Sequence, residues 1–127
     1  MIYVRETEGS VASVVERLEQ AAADHQFGVL GLHDLKQKMG AKGVDFTCEC
    51  RVMEVCNPVK AKEALEANMS ISTVLPCRIS IYEEDNVVKV ATLRPTMLLN
   101  LFDSPDLINV AREVEDTLIC IIDTACV

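Results

Sequence analysis

The chain has 127 residues, of which 50% are hydrophobic and 25% are charged. This length and composition are typical of one globular domain, and they exclude intrinsic disorder and collagen-like repeats. Twelve basic residues stand against twenty acidic ones. The resulting net charge of −8 opposes binding to a phosphate backbone, so we predict no nucleic-acid partner.

The first part of the chain alternates between strand and helix signals. Residues 2–7 are rich in strand formers and lead to a turn in which Ser10 is a good helix N-cap. The apolar residues beyond it recur at intervals of three and four, as on one face of an amphipathic helix: Val11, Val14, Val15, Leu18, Ala21 and Ala22. Residues 27–32 then predict a second strand, and residues 35–40 a short helical turn.

A third strand is predicted over residues 44–55, because apolar and polar residues alternate there. The apolar set, which we expect to face the core, is Val44, Phe46, Cys48, Cys50 and Val52. The alternation breaks after Val52, which predicts a bulge or twist. Asn57 and Pro58 then form a helix-start signal, and a helix is expected over residues 59–69.

The last half of the chain predicts a hairpin followed by helices. Residues 77–82 and 87–92 are strand-like and flank a polar turn of hairpin length. Residues 96–102 form a short apolar helical segment. A C-terminal amphipathic helix is expected over about residues 105–125, with its start signal at residues 103–106.

The last two turns of this C-terminal helix are apolar almost all round. Its apolar stripe is widened by Ile119, Cys120, Ile122 and Cys126. A helix of this kind needs a second partner besides its own sheet. We therefore expect a homodimer that uses the C-terminal helix.

The order of the elements, β-α-β-β-α-β-β-α, predicts an α+β fold. Because the strands alternate and are not continuously apolar, we expect a mainly antiparallel sheet of about five strands with helices on one face. No linker, repeat or low-complexity tract interrupts the sequence. The chain is thus expected to form a single domain over residues 1–127.

Three short motifs resemble a family of small prokaryotic proteins catalogued as domain of unknown function 302. They are Phe27-Gly28-Val29-Leu30, Cys56-Asn57-Pro58 and Leu75-Pro76-Cys77. The resemblance covers residues from about Tyr3 to Leu99. It implies an α+β fold with a homodimeric tendency, and it implies no biochemical activity.

Cys56 and Cys77 are the candidate reactive residues among six cysteines. Cys56 directly precedes a predicted helix N-terminus, where unpaired N–H groups and the helix dipole favour a thiolate and lower the thiol pKa. If the strand that begins at Cys77 runs beside the one that ends at Cys56, the two sulfurs form a dithiol site. Such a site can form a disulfide, carry a sulfane sulfur or hold a soft metal. The alternative is that both thiols are buried core residues.

Arg94 and Asn57 complete the candidate site. Arg94 ends a predicted strand, and its planar guanidinium is suited to a small anion, although a salt bridge to an acidic residue is an alternative role. Together with Cys56, Asn57, Pro58 and Cys77, it would line a polar pocket between sheet and helices.

The sequence supports a metal site or a catalytic histidine less well than it supports the thiol site. The cysteines lack the spacing of a zinc knuckle, so we predict no metal and no cofactor. His25 lies at a helix end, where a cation is favoured by the dipole, and His33 is expected to be solvated.

The sequence therefore favours a thiol-dependent protein of redox, sulfur or small-ligand handling that uses Cys56 and Cys77. The alternative is a non-catalytic module that binds a small anion or metabolite and has structural cysteines. An enzyme that uses the same groups is a third reading. The N-terminal residues lack a secretory signal pattern, and no apolar run approaches the length of a membrane span. We expect a cytoplasmic protein.

Overall fold

Five antiparallel strands form one sheet with the order β1-β5-β4-β3-β2. The computed structural model describes residues 1–102 and 104–126. The strands are β1 (Ile2–Thr7), β2 (Gly28–Asp34), β3 (Cys50–Cys56), β4 (Cys77–Glu84) and β5 (Val87–Leu93). The helices are α1 (Val11–Asp24), α2 (Leu35–Ala41), α3 (Pro58–Ala67), a 3₁₀ helix (Met69–Val74), α4 (Pro95–Leu99) and α5 (Leu107–Ala125). The α+β fold with a five-stranded antiparallel sheet is confirmed.

Local signals explain where several elements begin and turn. Ser10 and Ser13 form a reciprocal capping box at the start of α1. The β4–β5 hairpin turns at Asp85 and Asn86, both of which have positive φ angles, of 55° and 63°. Asp and Asn tolerate this backbone region better than other side chains, and paired positive φ angles suit a tight hairpin turn.

The main core lies between one face of the sheet and the helices α1 and α5. The largest fully buried side chains in this cluster are Leu18, Met53, Ile79, Ile81, Leu118, Ile121 and Ile122. A second, smaller cluster is centred on Ala64, Ile71 and Leu107. It lies among α3, the 3₁₀ helix, α4 and α5, beyond the end of the sheet.

The predicted third strand is wrong in its start and in its buried face. β3 begins at Cys50, six residues later than expected, and its fully buried residues are Met53 and Val55. Val55 lies opposite Cys77 and Met53 opposite Ile79, so these positions face the helices. Because successive strand residues face opposite sides, Cys50 and Val52 lie on the other face of the sheet, where both are half-buried.

The irregularity expected after Val52 lies instead on the neighbouring strand. β2 pairs with β3 through Val29–Val55 and Gly31–Glu54, so Leu30 is an extra residue in β2. β3 itself pairs with β4 without a break in register. The alternation is disturbed within β3 because Val52 lies on one face of the sheet and Met53 and Val55 lie on the other.

Helix α5 ends at Ala125, as predicted, but begins later than predicted. Residues 104–107 form a turn in which the Leu107 N–H donates to the Ser104 carbonyl, so the helix begins at Leu107 and not near residue 105. Asp103, part of the expected start signal, lies outside the described residues. Several apolar residues of the last turns are buried within the chain, namely Ile121, Ile122 and Cys126, whereas Cys120 is exposed. In the described part of the chain, no helix is both long and apolar enough to span a membrane.

Candidate functional site

The ends of three adjacent strands meet at a cavity, which we call the strand-end cavity. β3 ends at Cys56, β4 begins at Cys77 and β5 ends at Leu93, and these three residues all line it. The cavity has a volume of about 120 Å³. Helices α3, α4 and α5 and the 3₁₀ helix enclose its other sides.

Apolar side chains form most of the cavity wall. They include Val55, Ala61, Ala64, Ile71, Val74, Leu75, Leu98, Leu99, Val110 and Val114. The polar groups on the wall come from Asn57, Lys60 and Arg78, together with the two thiols. A mainly apolar concave site with a few polar groups is the usual form of a small-molecule site.

Asn57 fixes the position of α3 beside the cavity. Its side-chain oxygen accepts hydrogen bonds from the backbone N–H groups of Val59 and Lys60, at 3.0 and 3.2 Å. Pro58 occupies the first helical position, where a missing N–H costs nothing. The predicted start of this helix is confirmed. Asn57 contributes to the cavity wall, whereas Pro58 is not among its lining residues.

The structure brings Cys56 and Cys77 to one site. Val55 is the cross-strand partner of Cys77, so Cys56 follows that pair directly, and the two thiols interact electrostatically. Both are free cysteines. The expectation that adjacent strands carry them is thus met.

The pKa of the Cys56 thiol shifts in the direction opposite to the one expected. Burial raises the pKa of the Cys56 thiol. Burial, together with the nearby Cys56, raises the pKa of Cys77 to about 11. The Val59 and Lys60 N–H groups that were expected to stabilise a thiolate donate to Asn57 instead, while the apolar wall disfavours charge.

Arg94, unlike Cys56, Asn57 and Cys77, is not among the residues that line the cavity. Its guanidinium lies 3.6 Å from Glu115 and 5.3 Å from the centre of the Tyr3 ring. It thus joins the end of β5 to α5 and β1, which matches the alternative role as a salt bridge.

Two cationic residues that were not predicted as site residues contribute to the cavity wall. Lys60 lies three residues after the Asn57 cap, and Arg78 directly follows Cys77. Their spacing from the motif residues was the available signal, because a residue in the first turn of a helix lies close to its cap.

The histidines lie elsewhere. His25 Nδ1 is 2.8 Å from the Ala21 carbonyl oxygen at the end of α1. His33 Nε2 is 2.7 Å from Glu54 Oε1, so this half-exposed ring has a carboxylate partner and is not simply solvated. Across residues 1–102 and 104–126, no group of three or more His, Cys, Asp or Glu side chains has an arrangement that could hold a metal ion.

The comparisons with known proteins agree with this fold. The family model described as a domain of unknown function, DUF302, matches residues 3–125, and so extends through α5, beyond the predicted limit near residue 99. A crystal structure of an uncharacterized conserved DUF302 protein from Bacillus stearothermophilus is 31% identical, with a TM-score of 0.93. The similarity covers 98% of this chain and 97% of the other. No curated protein matches the sequence. The chain belongs to the DUF302 family.

Proposed function

We propose that this protein binds one small, mainly apolar molecule in the strand-end cavity and does not transform it chemically. The observation that carries the proposal is the cavity itself, with its apolar wall and volume of about 120 Å³. An engineered apolar cavity of roughly 150 Å³ can hold benzene, so a body of about six carbon atoms suits this site.

The state of the thiols supports binding over thiol chemistry. With its pKa near 11, Cys77 is almost entirely protonated at neutral pH, and burial also raises the pKa of Cys56. A thiol reacts as its thiolate, so both side chains are poor nucleophiles in this state. In the proposal they are soft, weakly polar parts of the wall.

Titration of the ¹⁵N-labelled protein with benzyl alcohol tests the proposal. We expect the amide signals of cavity residues to shift, with a Kd on the order of 1 mM for burial of one ring. Ala64→Leu places additional carbons in the cavity and should weaken binding. Ala67→Leu, an exposed position on the same helix, is the matched control. Unchanged cavity signals in the wild type, or equal binding by Ala64→Leu, would contradict the proposal.

The adjacency of the two thiols favours a second candidate function, a redox or sulfur-handling dithiol. In this reaction glutathione disulfide accepts two electrons and is released as two glutathione molecules, while Cys56 and Cys77 lose their protons and form a disulfide. Timed alkylation with intact-mass measurement tests it. Support would be a protein lighter by two hydrogen atoms with both residues protected. Oxidation or alkylation confined to the exposed Cys48 and Cys120 would exclude it.

We further propose that the protein forms a homodimer through α5 and that it is located in the cytoplasm. The dimer has a smaller apolar surface available than the sequence suggested, because Leu118, Ile121 and Ile122 are buried within one chain. Ile108, which is 46% exposed, and the exposed Cys120 are the side chains left on this helix for such a contact. The net charge of −8 continues to oppose a nucleic-acid partner.

A further inference from the structure

The charge on the wall of the strand-end cavity is opposite in sign to that of the whole protein. Among the described residues that line it, Lys60 and Arg78 are cationic and no carboxylate is present. The protein as a whole carries a net charge of −8.

Lys60 is held at the cavity by two carboxylates that are themselves outside the wall. Its ammonium group pairs with Glu113 of α5 and lies 3.8 Å from Glu63 of its own helix. The Lys60 side chain is 27% exposed, whereas the Glu113 side chain is 56% exposed. The pair therefore links α3 and α5, two helices that both contribute residues to the cavity wall.

Glu113 can be displaced from this exposed ion pair at a small cost in free energy. Glu113 is largely solvated and contributes little net stability through the pair, so its release to water has a small cost. The Lys60 side chain is more buried than that of Glu113, so an anion that replaces Glu113 at the cavity would stabilise the Lys60 charge. A ligand that fills the apolar space and carries one carboxylate would satisfy both the wall and the cation.

We propose that the molecule bound here is a small organic monocarboxylate, whose apolar body occupies the strand-end cavity and whose carboxylate takes the place of Glu113 on Lys60. This inference rests on the proposed binding function. Arg78 also contributes to the wall, but its guanidinium lies 3.8 Å from Glu54 on the other face of the sheet, so Lys60 is the cation that the carboxylate would meet.

Benzoate and benzamide provide the test, because they have nearly the same shape and differ in charge. We expect the wild type to bind benzoate roughly tenfold more tightly than benzamide, the gain typical of a charge-assisted hydrogen bond. Lys60→Gln should remove this preference, so that benzoate and benzamide bind with similar affinity. Glu113→Gln should strengthen benzoate binding, because it removes the competing carboxylate.

Lys62→Gln is the matched control. Lys62 lies on the same helix and pairs with Glu66, but it does not line the cavity, so its removal should leave the benzoate preference unchanged. Equal affinities for benzoate and benzamide, or a preference that persists in Lys60→Gln, would overturn the carboxylate assignment while the binding function stands. Failure of both probes to bind would overturn the binding function and this inference together.

Discussion

Asn57 confirms one expectation from the sequence, the start of α3, and contradicts another, the stabilisation of a thiolate at Cys56. Its side chain caps α3 through the N–H groups of Val59 and Lys60, as the sequence predicts. The same hydrogen bonds use the donors that were expected to stabilise a thiolate at Cys56. A residue can therefore mark a helix start correctly and also remove the electrostatic effect usually attributed to that start.

Cys77 makes stability depend on pH in the alkaline range. Its pKa is about 11 in the folded protein against an ordinary value of 9.0, so the unfolded chain loses this proton first as the pH rises. The contribution is fully present below pH 9 and is lost between about pH 9 and 11. The expected loss is about 2 to 3 kcal/mol, measured as the free energy of urea unfolding at each pH.

Cys77→Ala should flatten this alkaline slope, because the group that titrates is gone. Cys120→Ala is the control, since Cys120 is an exposed cysteine and should leave the slope as it is. A slope that is the same in the wild type and in Cys77→Ala would show that burial does not hold this thiol protonated.

Removal of the Asn57 cap should destabilise the protein and activate Cys56. Asn57→Ala leaves the Val59 and Lys60 N–H groups without their acceptor, at a cost of about 1 kcal/mol in urea unfolding. The released donors should also lower the pKa of Cys56 and speed its alkylation. Asn57→Asp retains a capping oxygen and should retain most of the stability; equal losses in the two variants would contradict the capping role.

At the scale of elements, the most reliable sequence signals were those with a local cause. The capped helices and the tight hairpin were predicted from a few neighbouring residues. The start of β3 depends on which residues pair with β4, and no local pattern distinguishes paired residues from an alternating loop. The contacts of Arg94 could not be predicted for the same reason, because Glu115 and Tyr3 are distant from it in the sequence.

Helix α5 carries a large part of the stability because its apolar face meets both α1 and the sheet. Leu118 is fully buried there, and Leu118→Ala should cost about 2 to 5 kcal/mol in urea unfolding. Leu101→Ala makes the same change at a side chain that is 78% exposed, so its cost should be well under about 1 kcal/mol. A similar loss in the free energy of unfolding for the two variants would mean that burial in the main core does not determine its size.

At the scale of the whole molecule, the proposed homodimer makes a prediction about mass. Sedimentation velocity should give twice the chain mass of 14.0 kDa for the wild type. Ile108→Glu introduces a charge into the proposed contact and should return the mass to that of one chain. A wild-type mass of one chain at all concentrations would exclude the dimer.

The strand order also determines when, during synthesis of the chain, each strand can pair with its neighbour. β2, β3, β4 and β5 each lie beside the strand made just before or just after, whereas β1 pairs with β5, as in Val4 with Ala91. A ribosome therefore exposes β1 long before its partner has been synthesised. Among the strands, the first to be made is the last to be placed, and until then the backbone N–H and C=O groups of β1 stay unpaired and open to chaperones and to other chains.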